Sequence, residues 1–296
     1  MKVTIKPANP DKPHFVGHVE GVDARKPLAP QQIAALESGL ARFGVLVLRD
    51  QQITDAEQIA FSRSLGELEH ATGDLVQGAD RRLPMELNDI SNLDRDGKLR
   101  ALDDRARLFG LGNRLWHSDS SFKAIPARFS LLSARVLPAQ DGNTEFADMR
   151  AAWDTLDRAT QAEIRPMIAL HSQLYSRAVL GFDFSDAERQ AWAPVRHPLV
   201  RRHGETGRLT LYLSAHIGAI EGLPIPEARA LLRDLTEHAT QRERTHAHVW
   251  QPHDLVIWDN RITMHRARPF PPGQVRDMRR TTITDEVPTL AQPHAA

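Results

Sequence analysis

WHSDSSF (residues 116–122) runs through KAIPA into RFSLLSARVLP (residues 128–138), a polar cluster followed by an apolar strand pattern. In an extended segment, residues i and i+2 point to the same side, roughly 6–7 Å apart. His117 and Asp119 therefore aim an imidazole and a carboxylate at one point. Such a pair supplies two of the three ligands of a two-His-one-carboxylate triad, which leaves three metal positions open and suits non-haem Fe(II) oxygen chemistry. It fits equally a turn that Asp119 caps, because H-x-D spacings arise by chance. The choice rests on a second imidazole elsewhere.

Of the 14 histidines, His265 in DLVIWDNRITMHRARP is the candidate. It follows a strongly patterned strand and lies in a region dense with polar and basic residues. Shortly beyond it, RDMRRTTIT reads as the last strand. Arg276 and Arg280 are four apart, so both occupy one face. Arginine grips a carboxylate through two parallel hydrogen bonds. Two inward arginines beside a metal suit a site for two carboxylate-bearing molecules. The competing reading is a basic edge strand whose arginines deter aggregation.

The surrounding pattern sets the fold class. PQQIAALESGLARF (30–43) has apolar residues at helical spacing (Ile33, Leu36, Leu40, Phe43), Gly44 stops it, and VLVLRD reads as a strand. Thr54 and Glu57 form a capping-box pattern for a second helix through about Leu65. Asp148 caps MRAAWDTL, and Thr160 with Glu163 is read as starting another helix. LTLYLS (209–214) reads as a strand. PIPEARALLRDLTEHAT reads as a helix with Ala228, Leu231, Leu232 and Leu235 on one face. THAHVW, DLVIWDN and RRTTITDE are three late strands. Strands lie on both sides of helices without regular alternation, which argues against Rossmann and TIM-barrel folds and for an α+β protein on an antiparallel sheet pair or barrel. Residues 67–112 show little periodicity and are read as a lid or substrate loop.

Composition narrows the function classes. Lys+Arg and Asp+Glu both total 38, so broad capture of nucleic acid or anionic lipid is not expected. The absence of cysteine removes disulfides, thiolate metal sites and thiol nucleophiles. No apolar run approaches the roughly 20 residues of a membrane span, and MKVTIKPANPDKPHF lacks a secretory segment. A cytoplasmic protein is expected.

The stretches LGNRLWHSDSSFKAIPARFSLLSARV, GNTEFADMRAAWDTL and DLVIWDNRITMHRARP followed by RDMRRTT together resemble the α-ketoglutarate-dependent taurine dioxygenase superfamily. Within it the chain is most similar to the 2,4-dichlorophenoxyacetate (aryloxyalkanoate) dioxygenases, over nearly its whole length. The resemblance implies one domain, residues 1–296, folded as a double-stranded β-helix, a jelly-roll barrel with flanking helices. It implies Fe(II) bound by His117, Asp119 and His265, with α-ketoglutarate and O2 as co-substrates. Thr144 and Arg276 match the family positions that hold the distal carboxylate of α-ketoglutarate. Arg280 matches the position that grips the substrate's acid group. Asn113 matches a polar substrate-side position of the taurine enzymes, and His216 and Lys98 lie in segments similar to substrate-region segments of the herbicide enzymes. The implied reaction hydroxylates an aryloxyalkanoate beside the ether oxygen and releases a phenol and glyoxylate, with succinate and CO2. A taurine, alkyl sulfonate or alkyl sulfate dioxygenase of the same superfamily, and a non-catalytic carboxylate-binding jelly roll, are the alternatives. A homo-oligomer is expected from the family. Trp116 and Phe122 are read as packing residues, and Ser118, Ser120 and Ser121 as satisfying local backbone. Trp258, Asp259 and Asn260 are read as shaping the turn before His265.

Overall fold

The computed structural model describes residues 2–71 and 81–292. Gly44 ends the helix Pro30–Phe43 at a φ of 70°, a left-handed value that suits a residue without Cβ, and its N–H donates to the Leu40 carbonyl (2.7 Å). The chain then enters the strand Val45–Leu48, which is buried throughout. Its alternation sorts side chains between two cores. Val45 and Val47 point into one, Leu46 and Leu48 into the other.

This strand belongs to a seven-stranded sheet in the order Thr4–Pro7, Gly17–Glu20, Val45–Leu48, Leu255–Asp259, Ala127–Val136, Asp277–Thr284, Asn88–Ser91. All neighbours pair antiparallel except Gly17–Glu20 with Val45–Leu48. A second, three-stranded antiparallel sheet runs Thr245–His248, Thr144–Asp148, Thr263–Ala267. Val45, Val47, Leu132, Val256, Trp258 and Met278 of the large sheet pack with Phe146 of the small one. On the other face of the large sheet, Leu46, Leu48, Phe129, Leu131, Leu255 and Ile257 pack against Leu36, Leu40, Phe43 and Phe61 of the helices Pro30–Phe43 and Asp55–Arg63. The small sheet's outer face carries Ala147 and Met264, which join Ala228, Leu235 and Ala239 of the helix Ile225–Ala239. Two facing sheets with helices outside form the expected jelly roll. Each fully buried Leu, Val or Phe in these layers stabilises it by roughly 1.5–3 kcal/mol.

The register of the last strand decides the site. Two irregularities interrupt the pairing of Asp277–Thr284 with Ala127–Val136, and in both the extra residue (Arg135, Arg128) lies on the Ala127–Val136 side. Alternation along residues 276–280 is therefore unbroken, and Arg276, Met278 and Arg280 share the inner face.

Some local expectations change. The helix Arg158–Ile164 is capped by Asp157, whose carboxylate accepts from Ala159 and Thr160 N–H (both 3.0 Å), so Thr160 lies inside its first turn. The strand expected over 209–214 is Leu209–Leu211. Thr263–Ala267 is a strand of its own, not read from its basic sequence. Within 67–112, the segment read as irregular, lie the strand Asn88–Ser91 and the helix Arg105–Gly110, while 72–80 fall outside the described residues. Among the described residues no helix is long and apolar enough to cross a membrane.

Candidate metal centre and its cavity

His117 meets His265 across an isolated antiparallel bridge. Each backbone N–H donates to the other's carbonyl (3.0 and 2.9 Å). The pairing places the two imidazoles side by side, with ring centroids 4.2 Å apart. Asp119, two residues along, completes the group. Its Oδ1 lies 3.7 Å from His117 Nε2 and its Oδ2 3.7 Å from His265 Nε2. The three ligand atoms fall within 4.8 Å of one another, and all three residues are buried. His117 Nδ1 lies 2.7 Å from the Leu115 carbonyl, an acceptor only, so Nδ1 carries the proton and the Nε2 lone pair is left for a cation. Burial lowers the pKa of both imidazoles, against the pull of Asp119, which keeps them neutral as ligation requires. The donor set fits Fe(II), with three positions left for other ligands.

The carboxylate is held from several sides. The Ser130 hydroxyl donates to Asp119 Oδ2 (2.8 Å), and Asp119 N–H donates to Asn260 Oδ1 (3.0 Å). Asn260 in turn donates to Ser130 Oγ and accepts from Trp258 Nε1 (both 3.0 Å). Arg280 Nη1 donates to Asp119 Oδ1. Burial opposes the Asp119 charge, but Arg280, with the Ser130 hydroxyl, favours it, and the carboxyl lies below its usual range. Trp258 and Phe146 flank His265, with ring centroids at 4.6 and 6.0 Å. Ser120, next to the ligand, has a φ of 52°, and its hydroxyl donates to Glu69 Oε2 (2.7 Å).

A narrow cleft beside the triad is lined by Thr144, Leu132, Ile90, Asn113 and Arg276. Arg276 is 4% exposed; its guanidinium donates to the Gly142 carbonyl (3.3 Å), and among the described residues it pairs with no carboxylate and its Nε has no partner. Burial lowers its pKa to about 10. Thr144 Oγ1 accepts from Trp250 Nε1 (3.0 Å), which leaves its own hydrogen to donate elsewhere. A buried guanidinium and a hydroxyl with a hydrogen to donate line one cleft, a chemistry that suits a carboxylate. The cleft opens into a cavity of about 220 Å³, whose wall includes Ile90, Phe109, Leu111, Phe122, Phe270 and Pro272 together with Arg177 and Arg280.

Residues 4–282 match the family model described as taurine catabolism dioxygenase TauD, TfdA family. The chain belongs to this family. It is 45% identical over 280 residues (94% of this chain, 98% of the relative) to the alpha-ketoglutarate-dependent 2,4-dichlorophenoxyacetate dioxygenase of Cupriavidus pinatubonensis. It is 36% identical over 261 residues (85% of each chain) to the (S)-phenoxypropionate/alpha-ketoglutarate-dioxygenase of Sphingobium herbicidovorans. The solved structure of AAD-2 in complex with Mn(II) and N-oxalylglycine is similar at a TM-score of 0.90 and 50% identity, covering 99% of this chain and 100% of that one.

In this TauD, TfdA family member the residues singled out from sequence are not all brought together. His117, Asp119, His265, Thr144, Arg276, Arg280, Asn113 and His216 all line the cavity or its cleft. Lys98 does not. It is exposed in the turn whose amides bond Asp94 and is not among the residues lining the cavity. His216 is buried, with its ring against His117 and Phe122. Phe122 lines the cavity rather than only packing, whereas Trp116 packs on the helix-side core under the Arg266 guanidinium. Ser118 Oγ satisfies backbone distant in sequence, donating to the Leu213 and Thr263 carbonyls, while Ser121 Oγ has no partner among the described residues. Ser130, Asn260 and Arg177 were missed as site residues. The signal for the first was a polar residue inside an otherwise apolar strand.

Proposed function

We propose that this protein hydroxylates an aryloxyalkanoic acid, such as 2,4-dichlorophenoxyacetate, at the carbon between the ether oxygen and the carboxylate. The chain is an α-ketoglutarate-dependent dioxygenase, with Fe(II) as its metal. The observation that carries the reading is the cavity beside the triad, which sets the apolar side chains of Phe109, Leu111, Phe122 and Phe270 together with Arg280, while Arg276, lining a cleft with Thr144, serves the co-substrate. Identity of 45% over 94% of the chain to a 2,4-dichlorophenoxyacetate dioxygenase supports the substrate class.

His117, Asp119 and His265 hold the metal, and Ser130 and Asn260 fix the carboxylate's orientation. Arg276 and Thr144 receive the distal carboxylate of α-ketoglutarate and set its angle to the metal. Fe(II), with α-ketoglutarate as reductant, supplies the oxygen activation that no side chain provides. The apolar wall formed by Ile90, Phe109, Leu111, Phe122, Phe270 and Pro272 takes the aromatic ring and excludes water from the reacting carbon. Arg280, on the same face as Arg276, orients the substrate's acid group. Of the segment 67–112, expected as a lid, Glu69 and Phe109 lie outside the large sheet, line the cavity and cover the substrate. The hydroxylated carbon bears both the ether and the new hydroxyl oxygen, and this hemiacetal collapses to a phenol and glyoxylate. Succinate and CO2 come from α-ketoglutarate.

The test is a substrate panel with Fe(II), α-ketoglutarate and O2. Phenol, glyoxylate and succinate in equal amounts from phenoxyacetates, and none with His117→Ala, are expected. Sulfite from taurine without phenol from any aryloxyacetate overturns the reading.

A further inference from the structure

We propose that Arg177 is a second binding residue for the substrate's carboxylate, gripping it together with Arg280 in the cavity beside the triad. The proposal rests on the aryloxyalkanoate reading and adds to it a residue that the family motifs do not mark. Arg177 lies on the short helix Gln173–Ala178, is 6% exposed, and lines the same cavity as His117, Asp119 and Arg280. Among the described residues it has no carboxylate partner. Its Nη1 donates to Ser176 Oγ (2.8 Å), its guanidinium carbon lies 4.5 Å from the centre of the Phe109 ring, and its Nε bonds nothing.

The chain makes room for this cation. A Cβ on Gly112 would stand 2.3 Å from both Cζ and Nη1 of Arg177, so the guanidinium occupies the space that any larger residue would fill. Ser176 Oγ donates to the Gln173 carbonyl (2.9 Å) and therefore accepts from Arg177 and from His216 Nδ1 (3.0 Å), which locks both side chains. Burial, and then the field of Arg280, depress the Arg177 pKa to about 10, so each guanidinium raises the cost of the other's charge. An anion between them removes that cost. Neither neighbouring arginine fills the role alone. Arg276 faces the Thr144 cleft, and Arg280 already donates to the metal ligand Asp119.

The experiment measures binding of phenoxyacetate to protein loaded with Mn(II) and N-oxalylglycine, by calorimetry, for wild type, Arg177→Met and Gly112→Ala. Methionine keeps apolar volume over Phe109 without the charge. The alanine keeps the charge and displaces it. Phenoxyacetate affinity is expected to fall roughly 10- to 100-fold in Arg177→Met, the loss of hydrogen bonds to a charged group, and in the same direction but less in Gly112→Ala. N-oxalylglycine affinity should stay within about twofold, and the unfolding midpoint of ligand-free Arg177→Met should not fall, because a buried unpaired cation has been removed. Unchanged phenoxyacetate affinity in Arg177→Met beside normal wild-type binding and turnover overturns the Arg177 role alone. Equal losses for phenoxyacetate and N-oxalylglycine, or a variant that does not fold with Gly112→Ala binding normally, also overturn it. A wild-type protein that binds no phenoxyacetate overturns it together with the aryloxyalkanoate reading.

Discussion

Replacing Arg276 by methionine should make the ligand-free protein more stable and unable to hold its co-substrate. The guanidinium is buried, has a weak bond to Gly142 (3.3 Å), and leaves Nε unpaired. Burial alone lowers its pKa to about 10, well below the ordinary guanidinium value. A depression of that size corresponds to about 3 kcal/mol against the charged form. The sign follows from linkage. The folded-state pKa of a base lies below its unfolded value, so the destabilisation is fully present below pH 10 and is relieved only above it. Methionine removes the charge and keeps apolar volume, so the neutral-pH unfolding free energy should rise by about 1–3 kcal/mol, read from urea midpoints at unchanged m-value. Binding moves the opposite way. A bidentate carboxylate grip made of two charged hydrogen bonds, at roughly 1.5–3 kcal/mol each, is lost. N-oxalylglycine affinity of the Mn(II)-loaded protein should therefore drop by about 10²–10³-fold or more in calorimetry. A variant destabilised at neutral pH that binds N-oxalylglycine as wild type does would refute the assignment and make Arg276 a structural cation.

Asp119→Asn should lower Mn(II) affinity by at least about 100-fold, because a neutral amide replaces the one anionic ligand; equilibrium dialysis measures it, and retention of metal would remove Asp119 from the site. Thr144→Val keeps shape but loses the hydroxyl, so N-oxalylglycine should bind about tenfold more weakly in calorimetry, and Trp250 Nε1, which now donates to Thr144 Oγ1, is left unpaired. Asp259→Asn should destabilise the fold by about 3–5 kcal/mol in urea titrations, since the buried Asp259 carboxylate receives Arg261 and His203. Arg261 and His203 hold that carboxyl far below its usual range despite burial, so its stabilisation is present above pH about 4 and fades as pH falls below that value. Thr54→Ala should cost about 1 kcal/mol in the same titration with activity unchanged, since its hydroxyl caps an exposed helix end.

How much of this was legible in the sequence depends on how local each cause is. Two-residue alternation placed His117 and Asp119 together, and the even spacing of Arg276 and Arg280 placed both on one face. The helix at 30–43, the Gly44 stop and the Thr54 box are set within one turn of chain, and they were read correctly. The strand Thr263–Ala267 was missed because its alternation runs through basic residues: Arg266 lies over Trp116 and pairs with Glu145, so a charged side chain occupies a packed position. Thr160 was taken for a cap because a hydroxyl three residues before a glutamate fits the pattern, whereas Asp157 offers a carboxylate one turn earlier. Lys98 entered through likeness of segments, which carries no information about the direction of a side chain in a turn. Arg177 lies on a six-residue helix too short for any period, and its partners, Phe109 and Gly112, are tens of residues away in sequence. Only the assembled cavity shows what it faces.

The charge balance of the chain hides the way its charges are distributed. Lys+Arg and Asp+Glu cancel at 38 each, and most surface arginines meet a carboxylate, as Arg82 does with Asp89 and Asp277. Around the metal centre the cancellation fails in a specific pattern. Among the described residues Arg276 and Arg177 are buried without carboxylate partners, and Arg280 donates to Asp119, the anionic member of the triad. Desolvated cations left in that state weaken the fold, and a jelly roll with deep cores on both faces of its large sheet tolerates the loss. The same deficit selects ligands. Each carboxylate that enters relieves a cost already present in the empty protein, so acids are favoured over their neutral esters by the fold's own electrostatics. The apolar wall adds ring binding but cannot discriminate charge, and the arginines discriminate charge but cannot recognise a ring. One cavity of about 220 Å³ holds both, so a ligand with an acid group and an apolar body meets a complementary wall at each end.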